Sequence, residues 1–146
     1  MMMAEKAETE LLNMVYKNAE MGRDGLYYVL RRTDDTGFRR SVETQFMEYQ
    51  QVMDEAEDKL RENGASPKGT NPAEKAMVRC GAIRRAAADN SPAALAEMLI
   101  QGSCMGVTKI ARQISRFRCE APAALELADR LQKTEENNIE KMKAYL

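Results

Sequence analysis

Residues 133–142, KTEENNIEKM, carry a carboxylate and a carboxamide three positions apart on one side of a predicted helix. Leu131, Glu135, Asn138 and Met142 share one stripe at the helical period. That spacing has two chemical uses. A glutamate and a second donor three residues on can grip a metal ion from a helix. The same pair inside a core makes a hydrogen-bonded polar layer. The chain contains no histidine. This removes the commonest general base and a principal ligand of zinc, iron and copper. The polar layer is therefore the preferred reading, with Asn18, Gln45 and Ser103 as partners for Glu135 and Asn138. Such a layer sets helix register where apolar packing alone tolerates slippage, provided each buried group finds a partner.

Other chemistry is scarce. Cys80, Cys104 and Cys119 are an odd number at wide spacings and form neither a zinc pattern nor a disulfide framework. A reducing cytoplasm suits them. Cys104, in GSCMG, is mid-helix with no histidine to activate it, and is read as a small buried apolar side chain. Basic pairs at Arg31–Arg32, Arg39–Arg40 and Arg84–Arg85 lie among acids and are read as solvated helix surface. There is no phosphate loop and no serine-nucleophile turn. No catalytic residue, metal ligand or cofactor is assigned.

Helices must position these groups. The chain has 146 residues, enough for one domain (1–146) with a single core. Apolar residues make up 44% and charged residues 31%, a balance that argues against disorder. The net charge of −1 gives no electrostatic reason to expect nucleic acid or an anionic membrane as partner. Alanine, glutamate, lysine, leucine, arginine and methionine dominate, so propensity favours helix. The start, MMMAEKAETELL, lacks the apolar segment of a signal peptide. No apolar run approaches the ~20 residues that span a bilayer.

Punctuation divides the chain. A first long helix is predicted from about Ala4 to Thr33, ending at TDDTG, and a second from about Phe38 to Glu62, stopped by Asn63–Gly64. After the loop ASPKGTNP, Asn71 caps and Pro72 opens a short helix to about Ala88. Ser91 and Pro92 start a third long helix to about Arg118, and Pro122 starts a fourth that runs near the C-terminus. Short links join the first pair and the last pair; one long link joins the pairs. The expectation is two antiparallel helical hairpins with an extra short helix in the crossover, an all-α four-helix bundle of ferritin-like connectivity.

Inward stripes follow from the 3.6-residue period. They are Leu11, Val15, Asn18, Gly22, Leu26 and Val29 in the first helix, and Val42, Phe46, Tyr49, Met53, Ala56 and Leu60 in the second. The fourth has Ala124, Leu131, Glu135, Asn138, Met142 and Tyr145. The third helix differs. Around Leu95, Leu99, Gly106 and Ile110 it is apolar nearly all round, with Met98 and Met105 on one flank. It should be buried nearly all round, either by a second subunit meeting Met98 and Met105 or by the crossover helix. The partner expected is thus a second copy, in a homodimer or higher homo-oligomer. Glycines inside predicted helices, Gly22, Gly25, Gly102 and Gly106, are read first as close helix approaches and second as the lining of an apolar ligand cavity.

The halves are weakly repeated: AEMG (19–22) matches SCMG (103–106), and EYQQV (48–52) matches EENNI (135–139). A duplicated hairpin is also the internal symmetry of the ferritin-like superfamily. NAEMG, AEMLIQGSCMG and KTEENNIEKMKAYL resemble a group of small bacterial ferritin-like proteins of uncharacterised activity. The resemblance implies the bundle fold. Metal-binding members of the superfamily use a glutamate from each of two helices and Glu-x-x-His from each of the others. By that pattern Glu135 and Asn138, and Glu48 and Gln51, stand where glutamate and histidine would be, so both histidines are amides here. The expected function is a non-enzymatic self-associating or binding module without a di-iron centre. The alternatives are a carboxylate-dependent iron or manganese oxidase or store using Glu48 and Glu135, and a carrier of a small apolar molecule.

Overall fold

The computed structural model describes residues 2–75, 89–118 and 120–146. They are all-helical, with no strand among the described residues. The long helices are α1 (Met2–Leu30), α2 (Thr36–Glu62), α3 (Pro92–Phe117) and α4 (Pro122–Lys143).

Their ends follow from local chemistry. α1 stops at Leu30, earlier than the sequence predicts, because the Arg32 and Thr33 amides both turn back to the Val29 carbonyl, at 2.9 and 3.2 Å. Arg32 and Arg39 then donate to the Tyr28 and Leu30 carbonyls, at 3.1 and 2.6 Å, and satisfy the helix end. Asp35 caps α2 by accepting from the Phe38 amide at 2.8 Å. At the far end of α2, Gly64 adopts φ +71°, the left-handed conformation that a side chain disfavours. This lets the Ala65 and Gly64 amides reach back to the Leu60 and Arg61 carbonyls, at 2.8 and 2.9 Å. In the crossover, Asn71 and Glu74 cap each other: the Glu74 amide donates to Asn71 Oδ1 and Asn71 Nδ2 donates to Glu74 Oε1, both at 2.8 Å. Helix begins there, at 72–75. The remainder of that predicted helix, to Ala88, lies outside the described residues, as do Cys80, Arg84, Arg85 and Cys119. Ser91 caps α3 by accepting from the Ala94 amide, with Pro92 in the first turn.

Cross-helix contacts set the directions. Glu10 pairs with Arg116, and Asn18 donates to the Gly106 carbonyl, so α3 runs antiparallel to α1. Glu55 pairs with Arg130 and Glu48 with Lys141, so α4 runs antiparallel to α2. α1 packs along α2 and α3, α4 along α3 and α2, and α1 also meets α4. Since α1 and α2 are antiparallel, α2 and α3 point the same way. The chain between them must therefore return along the length of the helices.

The shared core contains Leu11, Val15, Val42, Met53, Leu95, Ile110, Leu131 and Met142. Phe38 and Tyr145 close one end edge to face, with ring centroids 5.0 Å apart. The inward stripes are those expected, except that Asn18, Gly22, Phe46 and Tyr145 are half-buried. α3 is not buried all round within the single chain. Gly102, Cys104 and Met105 are exposed in the single chain, Met105 by 62%, and Met98 is half-buried. The reason is geometric: among the described long helices, α3 packs along α1 and α4. Cys104 thus lies on the surface, not in the core.

Replacing Asp35 by alanine removes the α2 cap without touching the core. Equilibrium denaturation should show a loss of about 1 kcal/mol, and Asp35→Asn, which keeps the acceptor, should recover most of it.

Candidate functional site

Halfway along the helices the apolar core is interrupted by polar side chains from α2 and α4. Tyr49 and Gln45 come from α2, Glu135 and Asn138 from α4. All four are buried; Glu135 is 2% exposed, Gln45 1% and Asn138 0%. α1 and α3 answer with glycines. A Cβ on Gly22 would lie 2.9 Å from Tyr49 Cζ, and one on Gly106 would lie 2.8 Å from the Glu135 carboxyl carbon. The missing side chains are the space that the phenol and the carboxyl occupy. By contrast, a Cβ on Gly25 or Gly102 would meet nothing within 4 Å.

Tyr49 Oη donates to Glu135 Oε1 at 3.3 Å, across α2 and α4. Asn18 donates from Nδ2 to the Gly106 carbonyl at 3.2 Å, which ties α1 to α3 at the same level. Ser103 is half-buried on α3 beside the phenol. Glu135 Oε2, both polar atoms of the Asn138 amide, and Gln45 Nε2 have no hydrogen-bond partner. The five residues anticipated for a polar layer thus occupy different stations. Glu135, Asn138 and Gln45 are in the core; Asn18 serves a backbone carbonyl; Ser103 sits at the margin.

Electrostatics decide the state of the carboxyl. Burial in the apolar core pushes Glu135 up to about 8, against a small opposing effect of the Tyr49 hydrogen bond. Among the described residues, no cation contributes to its shift. At neutral pH it is mainly the uncharged acid. In that form it has a proton to donate, and Asn138, one helical turn on, has an unpaired acceptor. Tyr49 is itself driven above the ordinary phenol range, by burial first and the Glu135 carboxylate second; Ser103 and Asn138 oppose this only in part. A phenol that resists ionisation is a donor here and not a base.

These residues do not suit a di-metal centre. Such a centre needs about four carboxylates and two imidazoles converging on two cations. Glu48, the other candidate ligand, sits at the flank and pairs with Lys141 at 3.7 Å. Gln51 and Glu97 are exposed. Glu20 is buried, but beneath the crossover and off the core stripe. Among the described residues, no three of His, Cys, Asp and Glu come together in a metal-sized cluster. One carboxyl cannot offset the cost of desolvating two divalent ions.

No family model, no curated protein and no solved structure matches the chain. No helix among the described residues is long and apolar enough to cross a membrane.

Sequence reasoning did not find the role of Tyr49 as the group that meets Glu135. The repeat of EYQQV and EENNI sets Glu48 against Glu135, whereas the structure brings the next residue, Tyr49, to the carboxyl. The usable signal was the core stripe of the second helix, which already contained Tyr49.

Two outcomes are expected. The folded-state value of Glu135 lies above the ordinary 4.5, so its contribution to stability is complete below about pH 4.5 and is lost as pH rises through about 8. The full shift corresponds to at most about 5 kcal/mol. Denaturation midpoints of wild type should fall between pH 5 and 8 relative to Glu135→Gln, and the variant should be the more stable protein at pH 9. Separately, Gly106→Ala should destabilise by about 1–3 kcal/mol, because its Cβ collides with the Glu135 carboxyl. Gly102→Ala on the same helix should stabilise by up to about 1 kcal/mol.

Proposed function

We propose that this chain is a ferritin-like helical bundle in which an uncharged polar layer stands in place of a di-metal centre. It works as a non-enzymatic, self-associating or binding module of a bacterial cytoplasm, with neither nucleic acid nor membrane as partner. The observation that carries this reading is Glu135: one buried carboxyl, bonded to a phenol, with an amide one turn on and no second carboxylate beside it. Helix directions support the bundle. Two antiparallel hairpins joined by one full-length crossover is the connectivity of ferritin-like folds. The motifs NAEMG, AEMLIQGSCMG and KTEENNIEKMKAYL point the same way.

Self-association draws on α3. Gly102, Cys104 and Met105 are exposed, and Met98 is half-buried. A second copy seated there would cover an apolar side that α1 and α4 leave open. A stable interface buries at least ~1,000 Å² in total. The carrier alternative finds little room at Gly22 and Gly106, since a ring and a carboxyl fill both notches.

Native mass spectrometry of freshly purified protein reads subunit number, metal and retained ligand together. The expected result is a homo-oligomer that Met98→Lys with Met105→Lys converts to monomer, and no stoichiometric metal after anaerobic incubation with ferrous iron. Two irons per chain, lost in Glu135→Gln, would replace this reading with the oxidase or store. A wild-type monomer at high micromolar concentration would end the self-association proposal.

A further inference from the structure

The crossover is fastened to α1 on the side away from the core. Asn13, Lys17 and Glu20 repeat at i, i+4 and i+7, and at 100° per residue they lie opposite the stripe of Leu11, Val15 and Gly22. Each holds one point of the segment 68–74. Asn13 Oδ1 accepts from the Lys68 amide at 2.7 Å. Glu20 Oε1 accepts from the Thr70 amide at 2.8 Å and also from the Thr70 hydroxyl. Lys17 pairs with Glu74 at 2.6 Å.

Glu20 differs from the other two in being buried, at 7% exposure. Gly69 makes that possible: a Cβ there would stand 2.7 Å from Glu20 Oε2 and 2.9 Å from Oε1. The carboxylate therefore sits under the crossover backbone in a notch that only glycine leaves open. Burial disfavours its charge, but the Thr70 hydroxyl and amide, with Lys75 and Arg23 nearby, outweigh that and hold it below the ordinary carboxyl range. Beside this contact, Lys68 and Gly69 wall a groove of about 410 Å³ against Lys6, Asn13, Met14 and Lys17 of α1.

We propose that residues 65–74 form a detachable strap latched by Glu20, and that its release opens the α1 groove while the helices stay packed. Three features separate strap opening from unfolding. The strap is held by polar contacts, with Ala65 alone in it packed on the core as a partly buried apolar side chain. The core face of α1 lies on the other side of the helix. Gly64, in the left-handed conformation, ends α2 before the strap begins, so α2 closes its own last turn without it. Segments with few buried apolar contacts open at a fraction of the global free energy.

Hydrogen exchange on the full chain tests this. In Glu20→Ala the Thr70 and Lys68 amides should exchange at least about 10-fold faster, a loss in scale with bonds to a charged acceptor. Amides of Val15, Tyr49 and Leu131 should hold wild-type rates, and Lys17 should react faster with a soluble acylating reagent. Gly69→Ala, with Glu20 intact, should produce the same pattern from the strap side, whereas Thr70→Ser should behave as wild type. Faster exchange confined to Thr70 would mean three independent contacts and no latch. Core amides accelerating together with Thr70, or a variant that fails to fold, would make Glu20 part of the global fold. Unchanged exchange in both variants would remove Glu20 as the latch. Each of these three results overturns the proposal.

Discussion

A carboxyl and a phenol share the middle of an apolar core, and the rest of the packing is arranged around that fact. Glu135 reaches Tyr49 across α2 and α4 because Gly22 and Gly106 take no space on α1 and α3. Any side chain on either glycine would push apart the helices or the polar pair. The low dielectric that makes the group costly to ionise also strengthens its hydrogen bond, so one environment accounts for both the neutral carboxyl and the reluctant phenol. Asn18 adds a bond from α1 to the α3 backbone at the same level, so all four long helices are referenced to one layer.

The layer and the crossover answer to different physics. The layer is buried and tolerates little change in volume or charge. The described part of the crossover, 65–74, is largely exposed and held by discrete polar contacts to a stripe of α1 that faces away from the core. Among its described residues the buried contact is at Glu20, a carboxylate kept charged by an amide, a hydroxyl and nearby cations, the opposite of Glu135, which burial keeps neutral against the single opposing hydrogen bond from Tyr49. Two glutamates of one type, both buried, thus differ in state because one faces an amide, a hydroxyl and nearby cations and the other faces a phenol and apolar walls. The parallel course of α2 and α3 links the two regions: a chain that must return the length of the bundle passes over α1 and can be fastened there.

Much of this architecture was legible in the residues. Helix starts at Ser91–Pro92 and Pro122, the stop at Asn63–Gly64 and the cap at Asn71 are local signals that act within one turn, and they hold as read. The inward stripes, including the polar positions Glu135 and Asn138, follow from periodicity because burial of one face is a property of the helix as a whole. The pairing of Glu135 with Tyr49 instead of Glu48 was not legible, since the repeat that aligns the hairpins is offset by one residue from the contact. The exposure of Cys104 was misread for a related reason. Apolar composition says how much surface a helix would bury, not how many neighbours the fold supplies to bury it.

The sequence by itself determined the long helices, the capped and glycine-stopped limits among their ends, and the inward side of α1, α2 and α4, because capping, left-handed glycine and the 3.6-residue period are local or single-helix properties. Only the tertiary structure decided which polar groups meet, that Gly22 and Gly106 are notches for a ring and a carboxyl while a Cβ at Gly25 or Gly102 would meet nothing within 4 Å, and that Glu20 is buried under the crossover. Those outcomes depend on the relative sliding of helices by single residues. A shift of 1.5 Å along an axis exchanges one neighbour for the next, and no pattern within one helix records it.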